Sequence, residues 1–247
     1  MISDHCDYFH ILNNTIAMSA KAARPPPFSA AMLQRIEAAI DAEEATASAA
    51  AAINAQTLAG LPWVKLTPNH SDMVDEIRGI IWAARDKAAA RDKTGMSEIA
   101  TLLDGNVLLS GALGIHGIEG DYKSRISGVS SEDDIYGHLL DVIDTKNGTP
   151  TRVLPAEDRP TYDMTPHFRD AAEFAVSMAM DNKLPIAIHC HAGINRGPIL
   201  ATVCMMALTG ASLRETIREI TLQRPRAFQN TAFVTQLVLW ADENGLY

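Results

Sequence analysis

The chain has 247 residues, 47% of them hydrophobic and 21% charged, a composition that supports a buried core and excludes global disorder. Its formal net charge of -9 disfavours nucleic acid and anionic membranes as partners, so an anionic ligand would need positive charge concentrated locally. The sequence has three scattered cysteines, no basic and apolar leader, and no apolar run of membrane-spanning length. These features predict a cytoplasmic or nuclear protein without a disulfide framework or membrane span.

The first 94 residues are predicted to form a mostly helical, alanine-rich extension with a loose start. Three prolines at positions 25–27 close the loose lead, and Ser29 can cap a helix that runs to about Ala59. Ser71 is predicted to open a second helix that ends near Gly95. Its apolar residues recur at helical spacing and are Met73, Ile77, Ile80, Ile81 and Ala84. This stripe predicts packing against the domain that follows, with binding to a partner protein as the weaker alternative.

Residues 95–247 are predicted to form an α/β domain, because strand-like and helix-like segments alternate there. The predicted strands are Glu98–Leu103, Asn106–Leu109, Ile126–Val129, Arg152–Pro155 and Pro185–His189. The predicted helices are Thr165–Asn182, Gly197–Leu208, Ser212–Leu222 and Thr231–Glu243. The fold class is therefore α/β, with a central, mainly parallel sheet of four to five strands flanked by helices and preceded by the helical extension.

The most informative segment is 186–197, where an apolar strand leads into Cys190, five residues follow, and Arg196 opens a helical pattern. A thiol has a pKa near 8.5, so a nucleophilic thiolate needs the support that inward N–H groups and a helix N-terminus provide. Arg196 adds a planar fork that can bind two phosphate oxygens, and Gly193 lets the backbone turn inward. His189 is expected to hold the loop by hydrogen bonding and to lower the thiol pKa further. The pattern predicts phosphate binding and attack by Cys190 without a metal or cofactor.

Two other interpretations of this segment are weaker. Cys190 could be a small buried hydrophobe, but a strand, a glycine, an arginine and a helix in this order favour a reactive site. A zinc site built from His189, Cys190 and His191 is disfavoured, because adjacent strand residues point to opposite faces and further ligands are missing. Cys204, which lies at core spacing in a predicted helix, is expected to serve packing.

Breaking a phosphate ester also needs a proton donor for the leaving oxygen, on a loop close to the cysteine. Asp158 qualifies, because it follows the predicted strand Arg152–Pro155. Glu157 and Asp163 are its rivals. From spacing alone, each of the three could equally be a solvated loop carboxylate.

From about residue 98 onward the chain resembles the dual-specificity subfamily of cysteine-dependent protein phosphatases. The resemblance rests on a HCxAGxxR signature, on a segment that carries the general acid, and on a closing helix. These are His189-Cys190-His191-Ala192-Gly193-Ile194-Asn195-Arg196, Glu157-Asp158…Phe168…Ala172-Glu173-Phe174, and Arg224-Pro225…Asn230…Phe233…Gln236-Leu237. The resemblance implies catalytic roles for Cys190, Arg196 and Asp158, phosphate binding by His191, Ala192, Gly193, Ile194, Asn195 and Arg196, and supporting roles for His189 and Asn230.

The same resemblance implies a shallow pocket that takes phosphotyrosine and phosphoserine or phosphothreonine from protein substrates through a phosphocysteine intermediate. One position departs from the family pattern, since Gly197 stands where serine or threonine usually follows the arginine. This departure predicts slow hydrolysis of the phosphocysteine.

Three other functions would use the same loop. A phosphoinositide phosphatase is disfavoured because the loop contains no lysine. An RNA 5′-phosphatase is disfavoured by the acidic net charge of the chain. Four arginines form a local basic exception, and these are Arg214, Arg218, Arg224 and Arg226. A phosphate-binding adaptor with little turnover gains some weight from Gly197.

Overall fold

The computed structural model describes residues 67–89, 99–118, 120–129, 144 and 147–247. The loose lead and the helix predicted from Ser29 lie outside the described residues. The helices are α1 Pro68–Ala89, α2 Ala112–His116, α3 Thr165–Met180, α4 Arg196–Thr209, α5 Leu213–Gln223 and α6 Thr231–Glu243. The strands are β1 Ala100–Leu102, β2 Val107–Gly111, β3 Ser124–Ser127, β4 Thr151–Val153 and β5 Ile186–Cys190.

Within the described residues the strands form one five-stranded sheet in the order β1-β2-β5-β3-β4. β1 runs antiparallel to β2, and the other neighbouring pairs are parallel. The predicted α/β fold with a mainly parallel sheet is therefore confirmed. The central strand β5 is buried at every position, as expected for a parallel strand covered by helices. Its register places Cys190 beside Gly111, so β2 and β5 end at the same edge of the sheet.

Helix α4 starts at that edge and runs through the centre of the domain. Every residue from Arg196 to Met206 is buried, which explains why this helix is apolar around its whole circumference. It packs against β2, β5 and α3. Cys204, inside α4, is fully buried, and its Sγ donates to the Ala171 carbonyl at 3.5 Å. The predicted packing role of Cys204 is confirmed.

Helix α1 is the second helix predicted from the sequence, and it packs against α5 and α6. Its buried face belongs to the main hydrophobic core and consists of Met73, Val74, Ile77 and Ile81. The predicted packing of this helix on the domain that follows is therefore confirmed.

The start of α1 differs from the prediction, because the helix begins at Pro68 and not at Ser71. Proline suits the first position of a helix, where its missing N–H would have no partner. The preceding Thr67 accepts a hydrogen bond from the His70 N–H on its Oγ1 at 3.4 Å, as a capping residue does. The prediction overlooked this threonine and proline signal.

No element was predicted between β2 and the third strand, yet α2 begins directly after Gly111. Its five residues are too few to show a helical period in the sequence. The N–H of its first residue, Ala112, donates to the His191 carbonyl at 3.0 Å. This short helix therefore meets the loop that follows Cys190.

Candidate active site

The loop formed by residues 191–195 joins the last residue of β5 to the first residue of α4. We call residues 190–196 the phosphate loop. The Gly193 N–H donates to Cys190 Sγ at 3.2 Å, so the sulfur accepts a hydrogen bond from a backbone amide. An amide donor stabilises a thiolate more than a neutral thiol. The structure therefore brings the sulfur, a loop amide and the N-terminus of a buried helix together.

The carbonyl oxygens of residues 191–194 all accept hydrogen bonds from outside the phosphate loop. The Ala112 N–H donates to the first at 3.0 Å and the Phe228 N–H to the last at 2.7 Å. Between them, Arg224 donates from Nη2 to the Ala192 carbonyl at 3.3 Å and from Nε to the Gly193 carbonyl at 3.2 Å. Because C=O and N–H point in opposite directions across a planar peptide, outward carbonyls direct the loop's N–H groups inward.

Gly193 has a φ of +71°, in the left-handed region. A Cβ at this position would lie 2.5 Å from both the Gly111 nitrogen and the Ser110 carbonyl carbon. The position therefore needs glycine for its conformation and also for the close approach of the β2 backbone. The sequence predicted the first requirement and not the second.

Arg196 is 3% exposed, and its side chain turns towards the segment that follows β4. Its Nη1 donates to the Ala156 carbonyl at 3.0 Å. We call residues 155–163 the acid segment. This bond ties the acid segment to the first residue of α4, beside the phosphate loop.

Asp158 lies against the phosphate loop and is held by two side-chain amides. Its Oδ2 accepts a hydrogen bond from Asn195 Nδ2 at 2.8 Å, and its Oδ1 accepts one from Asn230 Nδ2 at 2.9 Å. Of the three carboxylates considered from the sequence, this one is joined to the phosphate loop by a side-chain contact.

The two rival carboxylates have other contacts. Glu157 forms an ion pair with Arg159 at 3.0 Å, and the Glu157 side chain is about half exposed. Asp163 accepts hydrogen bonds from the Thr165 N–H at 3.0 Å and hydroxyl at 2.6 Å, at the start of α3. These contacts favour a surface role for Glu157 and a helix-start role for Asp163.

Asn195 has a structural role that the sequence did not reveal. Besides contacting Asp158, its side chain accepts hydrogen bonds on Oδ1 from the N–H groups of Gln229 and Asn230, both at 2.8 Å. Arg224 was also noted only as part of a basic group and of the closing motif, although it binds two loop carbonyls. These long-range contacts leave no periodic signal in the sequence.

His189 is fully buried and belongs to a network of polar side chains behind the sheet edge. Its Nε2 lies 2.6 Å from Arg125 Nη1. Since a guanidinium can only donate, this contact requires an unprotonated Nε2 and hence a neutral ring. Arg125 pairs in turn with Asp144, which accepts a hydrogen bond from the Tyr122 hydroxyl at 3.0 Å. The expectation that His189 holds the loop and lowers the thiol pKa stays a prediction.

Gly197 begins the turn of α4 that passes next to the cysteine. A Cβ at this position would lie 3.2 Å from the Cys190 nitrogen and 3.3 Å from Leu109 Cδ1. A larger residue would need small shifts of these neighbours. Glycine therefore fits the local packing, and it supplies no hydroxyl beside the sulfur.

The comparison with protein families agrees with this geometry. Residues 130–243 match the family model described as "Dual specificity phosphatase, catalytic domain". This part of the chain is similar to the catalytic domain of dual-specificity phosphatases. The matched region contains the acid segment, the phosphate loop and the segment with Arg224 and Asn230, whereas α1 and the first three strands precede it.

The curated relatives are similar over part of their length. Human dual specificity protein phosphatase 5 is 29% identical over 90 residues, covering 36% of this chain and 23% of that protein. Dual specificity protein phosphatase 22-B of Danio rerio is 30% identical over 84 residues, covering 34% of this chain and 45% of that protein. The chain thus spans less than half the length of these two relatives.

Among solved structures, human DUSP28 has the same fold, with a TM-score of 0.50 and 17% identity. The match covers 60% of this chain and 94% of that one. Across the part of the chain that the structure describes, none of the helices has the length and apolar character needed to cross a membrane.

Proposed function

We propose that this chain is a cysteine-dependent protein phosphatase that hydrolyses phosphotyrosine and phosphoserine or phosphothreonine through a phosphocysteine intermediate. One observation carries the proposal: the Gly193 N–H donates to Cys190 Sγ inside a loop in which the carbonyls of residues 191–194 all accept hydrogen bonds from outside it. This arrangement suits both a thiolate and a bound phosphate. The similarity of residues 130–243 to the family model adds support, and phosphorylated proteins are the proposed substrates.

In the proposed first step, the Cys190 thiolate attacks phosphorus in line with the leaving oxygen. The S–P bond forms while the ester P–O bond breaks. The loop N–H groups and Arg196 stabilise the charge on the equatorial oxygens. Asp158 gives its proton to the leaving oxygen, which departs as an alcohol or phenol.

In the proposed second step, the Asp158 carboxylate takes a proton from water while the water oxygen attacks phosphorus. The P–S bond breaks, and inorganic phosphate and the thiolate are released. A hydroxyl next to the arginine would assist the departing sulfur, and Gly197 has none. We therefore expect the second step to limit turnover.

Turnover of p-nitrophenyl phosphate at mildly acidic pH tests this function. We expect a burst of p-nitrophenol followed by a slower steady rate, with phosphocysteine trapped by acid quench. Cys190→Ser should abolish turnover and retain phosphate binding, whereas Cys204→Ala, which changes a buried cysteine outside the phosphate loop, should remain active. Turnover by Cys190→Ser would refute the cysteine mechanism, and a wild-type reaction without a burst would refute the slow second step.

A phosphate-binding adaptor is the second candidate, and Gly197 is the observation that favours it. The adaptor would bind phosphopeptides and would release no phosphate from them. Matched phosphotyrosine, phosphoserine and phosphothreonine peptides, a phosphoinositide and a 5′-phosphorylated RNA should be compared as substrates. Turnover of the peptides supports the protein phosphatase, and binding without turnover supports the adaptor.

A further inference from the structure

Helix α1 lies before the region that matches the family, yet it contacts the segment that supports the phosphate loop. We call residues 224–230 the brace segment. Arg85, near the end of α1, donates from Nη2 to the Ala227 carbonyl at 3.0 Å across 142 residues of sequence. The Arg85 side chain is partly buried, and a hydrogen bond from a charged donor is stronger than a neutral one.

The Ala227 carbonyl and the Phe228 N–H belong to the same peptide group. The carbonyl accepts from Arg85, while the N–H donates to the Ile194 carbonyl of the phosphate loop at 2.7 Å. Because the peptide is planar and trans, the direction of its C=O determines the direction of its N–H. One peptide therefore connects α1 to the phosphate loop.

This peptide leads into a residue with an uncommon backbone conformation. Phe228 has a φ of +65°, in the left-handed region, and is 3% exposed. A bulky residue keeps such a conformation only where its surroundings impose it. The peptide that precedes Phe228 contacts Arg85 through its carbonyl and the phosphate loop through its N–H.

The rest of α1 holds Arg85 in place. Ile77 and Ile81 are buried in the main core. On the outer side, Arg214 of α5 binds Glu76 through Nε at 2.7 Å and Nη2 at 2.9 Å. The helix is thus anchored by apolar and polar contacts before it reaches the brace segment.

We propose that Arg85 is a positioning residue of the phosphatase site, which orients the Ala227–Phe228 peptide so that the Ile194 carbonyl stays turned out of the phosphate loop. It follows that α1 is part of the catalytic unit. The expected effect of Arg85 on the kinetics rests on the proposed function. The expected effect of Arg85 on the binding of an oxyanion does not depend on turnover.

The test compares Arg85→Met with Arg78→Met in the full chain. Arg78 lies on the same helix, pairs with Asp75 at 3.3 Å and lies over the Trp82 ring, so it serves as the matched control. We expect Arg85→Met to weaken tungstate binding, measured by calorimetry, and to lower kcat/KM for p-nitrophenyl phosphate, each on the order of 3- to 10-fold. Arg78→Met should change both by less than about twofold. Arg85→Lys, which retains a charged donor, should recover part of the loss.

The thermal midpoint of each variant separates positioning from stability. If Arg85 is purely structural, Arg85→Met lowers the thermal midpoint and leaves tungstate affinity and kcat/KM of the folded protein unchanged. This result overturns the inference.

If Arg85→Met does not fold, Arg85→Gln decides, since its shorter polar side chain leaves the Ala227 oxygen out of reach. If wild type binds tungstate but turns over no substrate, the proposed function fails while tungstate affinity still decides the role of Arg85. If wild type binds no tungstate, both proposals fail.

Discussion

At the scale of single residues, Asn195 connects three parts of the site through one side chain. Its Nδ2 donates to Asp158, and its Oδ1 accepts from two backbone N–H groups of the brace segment. Since a side-chain amide has both donors and an acceptor, it can bind a carboxylate and a backbone turn at the same time. A hydroxyl group has a shorter reach and does this less well. We therefore expect Asn195 to determine where Asp158 meets the leaving oxygen.

Under the proposed mechanism, replacing Asn195 by Ala should weaken proton donation by Asp158 and leave Cys190 in place for its attack. We expect kcat/KM for a phosphoserine peptide to fall about 10- to 100-fold, within the range attributed to general acids. For an aryl phosphate with a good leaving group, the loss should be much smaller. Gln229→Ala is the control, because Gln229 contributes only its backbone N–H to Asn195.

The same comparison in an Asp158→Ala background shows whether the two residues act together. There, Asn195→Ala should cause little further loss with either substrate. Equal losses for alkyl and aryl phosphates in the single Asn195 variant would contradict the positioning role.

Gly193→Ala should destabilise the protein far more than Gly210→Ala. Both glycines have left-handed φ values, +71° and +70°, but a Cβ at Gly193 would clash with the β2 backbone, while nothing lies within 4 Å of one at Gly210. We expect a cost of about 2–5 kcal/mol at Gly193 and about 1 kcal/mol at Gly210, in the free energy of unfolding from urea titration. Similar costs at both positions would show that the close approach to β2 is unimportant.

At the scale of elements, the acid segment is held to the start of α3 by an aromatic pair. The Tyr162 hydroxyl donates to the Pro155 carbonyl at 2.6 Å and lies 2.8 Å from His167 Nε2. The two rings stack with an interplanar angle of 9°. Burial lowers the pKa of His167, although nearby groups, chiefly the Pro155 carbonyl, oppose this change. Protonation of His167 therefore opposes the folded arrangement of this element.

The lowered pKa of His167 makes a pH prediction with a definite sign. A histidine whose pKa is lower in the folded state than in the unfolded state makes its full contribution to protein stability above the unfolded-state pKa of about 6.5. The protein loses this contribution as the pH falls below that pKa. We expect wild type to lose stability between about pH 7 and pH 5 more steeply than His167→Phe, which keeps an aromatic ring against Tyr162. Urea midpoints across this range measure the difference, and parallel curves would contradict the assignment.

At the scale of the whole molecule, the core continues beyond the region that matches the family. Ile77 of α1 is fully buried in the same hydrophobic cluster as residues of β5 and α4. The His70 and Asp242 side chains, 3.1 Å apart, join the start of α1 to the end of α6. The domain boundary at residue 95 thus stays a prediction. In the structure, α1 and the α/β domain share one hydrophobic core.

Two substitutions in α1 should therefore change the global stability in opposite directions. Ile77→Ala should cost about 2–5 kcal/mol because it leaves a cavity in the core. Gly79→Ala should stabilise by about 0.5–1 kcal/mol, since nothing lies within 4 Å of an added Cβ and alanine favours a helix. Urea unfolding followed by a core probe measures both. If neither substitution moves the global transition, α1 is not part of the cooperative unit.

The local elements of this protein could be predicted from the sequence because their causes are local. The apolar run of β5 predicted that strand to within one residue, and the stripe of α1 predicted a helix that begins three residues earlier in the structure, at Pro68. The predicted end of this helix near Gly95 lies outside the described residues. Ser212 was predicted to start a helix, and the structure has a full capping box between Ser212 and Glu215. The helix α2 was missed because five residues carry too little periodicity.

By itself the sequence determined the α/β class and the order of strand, cysteine loop, arginine and helix, since hydrophobic period and residue type act over short distances. The tertiary structure alone decided which groups turn the loop carbonyls outward, which carboxylate meets Asn195, and that Arg85 reaches the brace segment. Those contacts join residues up to 142 positions apart. They depend on how the helices pack around the sheet, and this packing follows from the combined burial of the whole core.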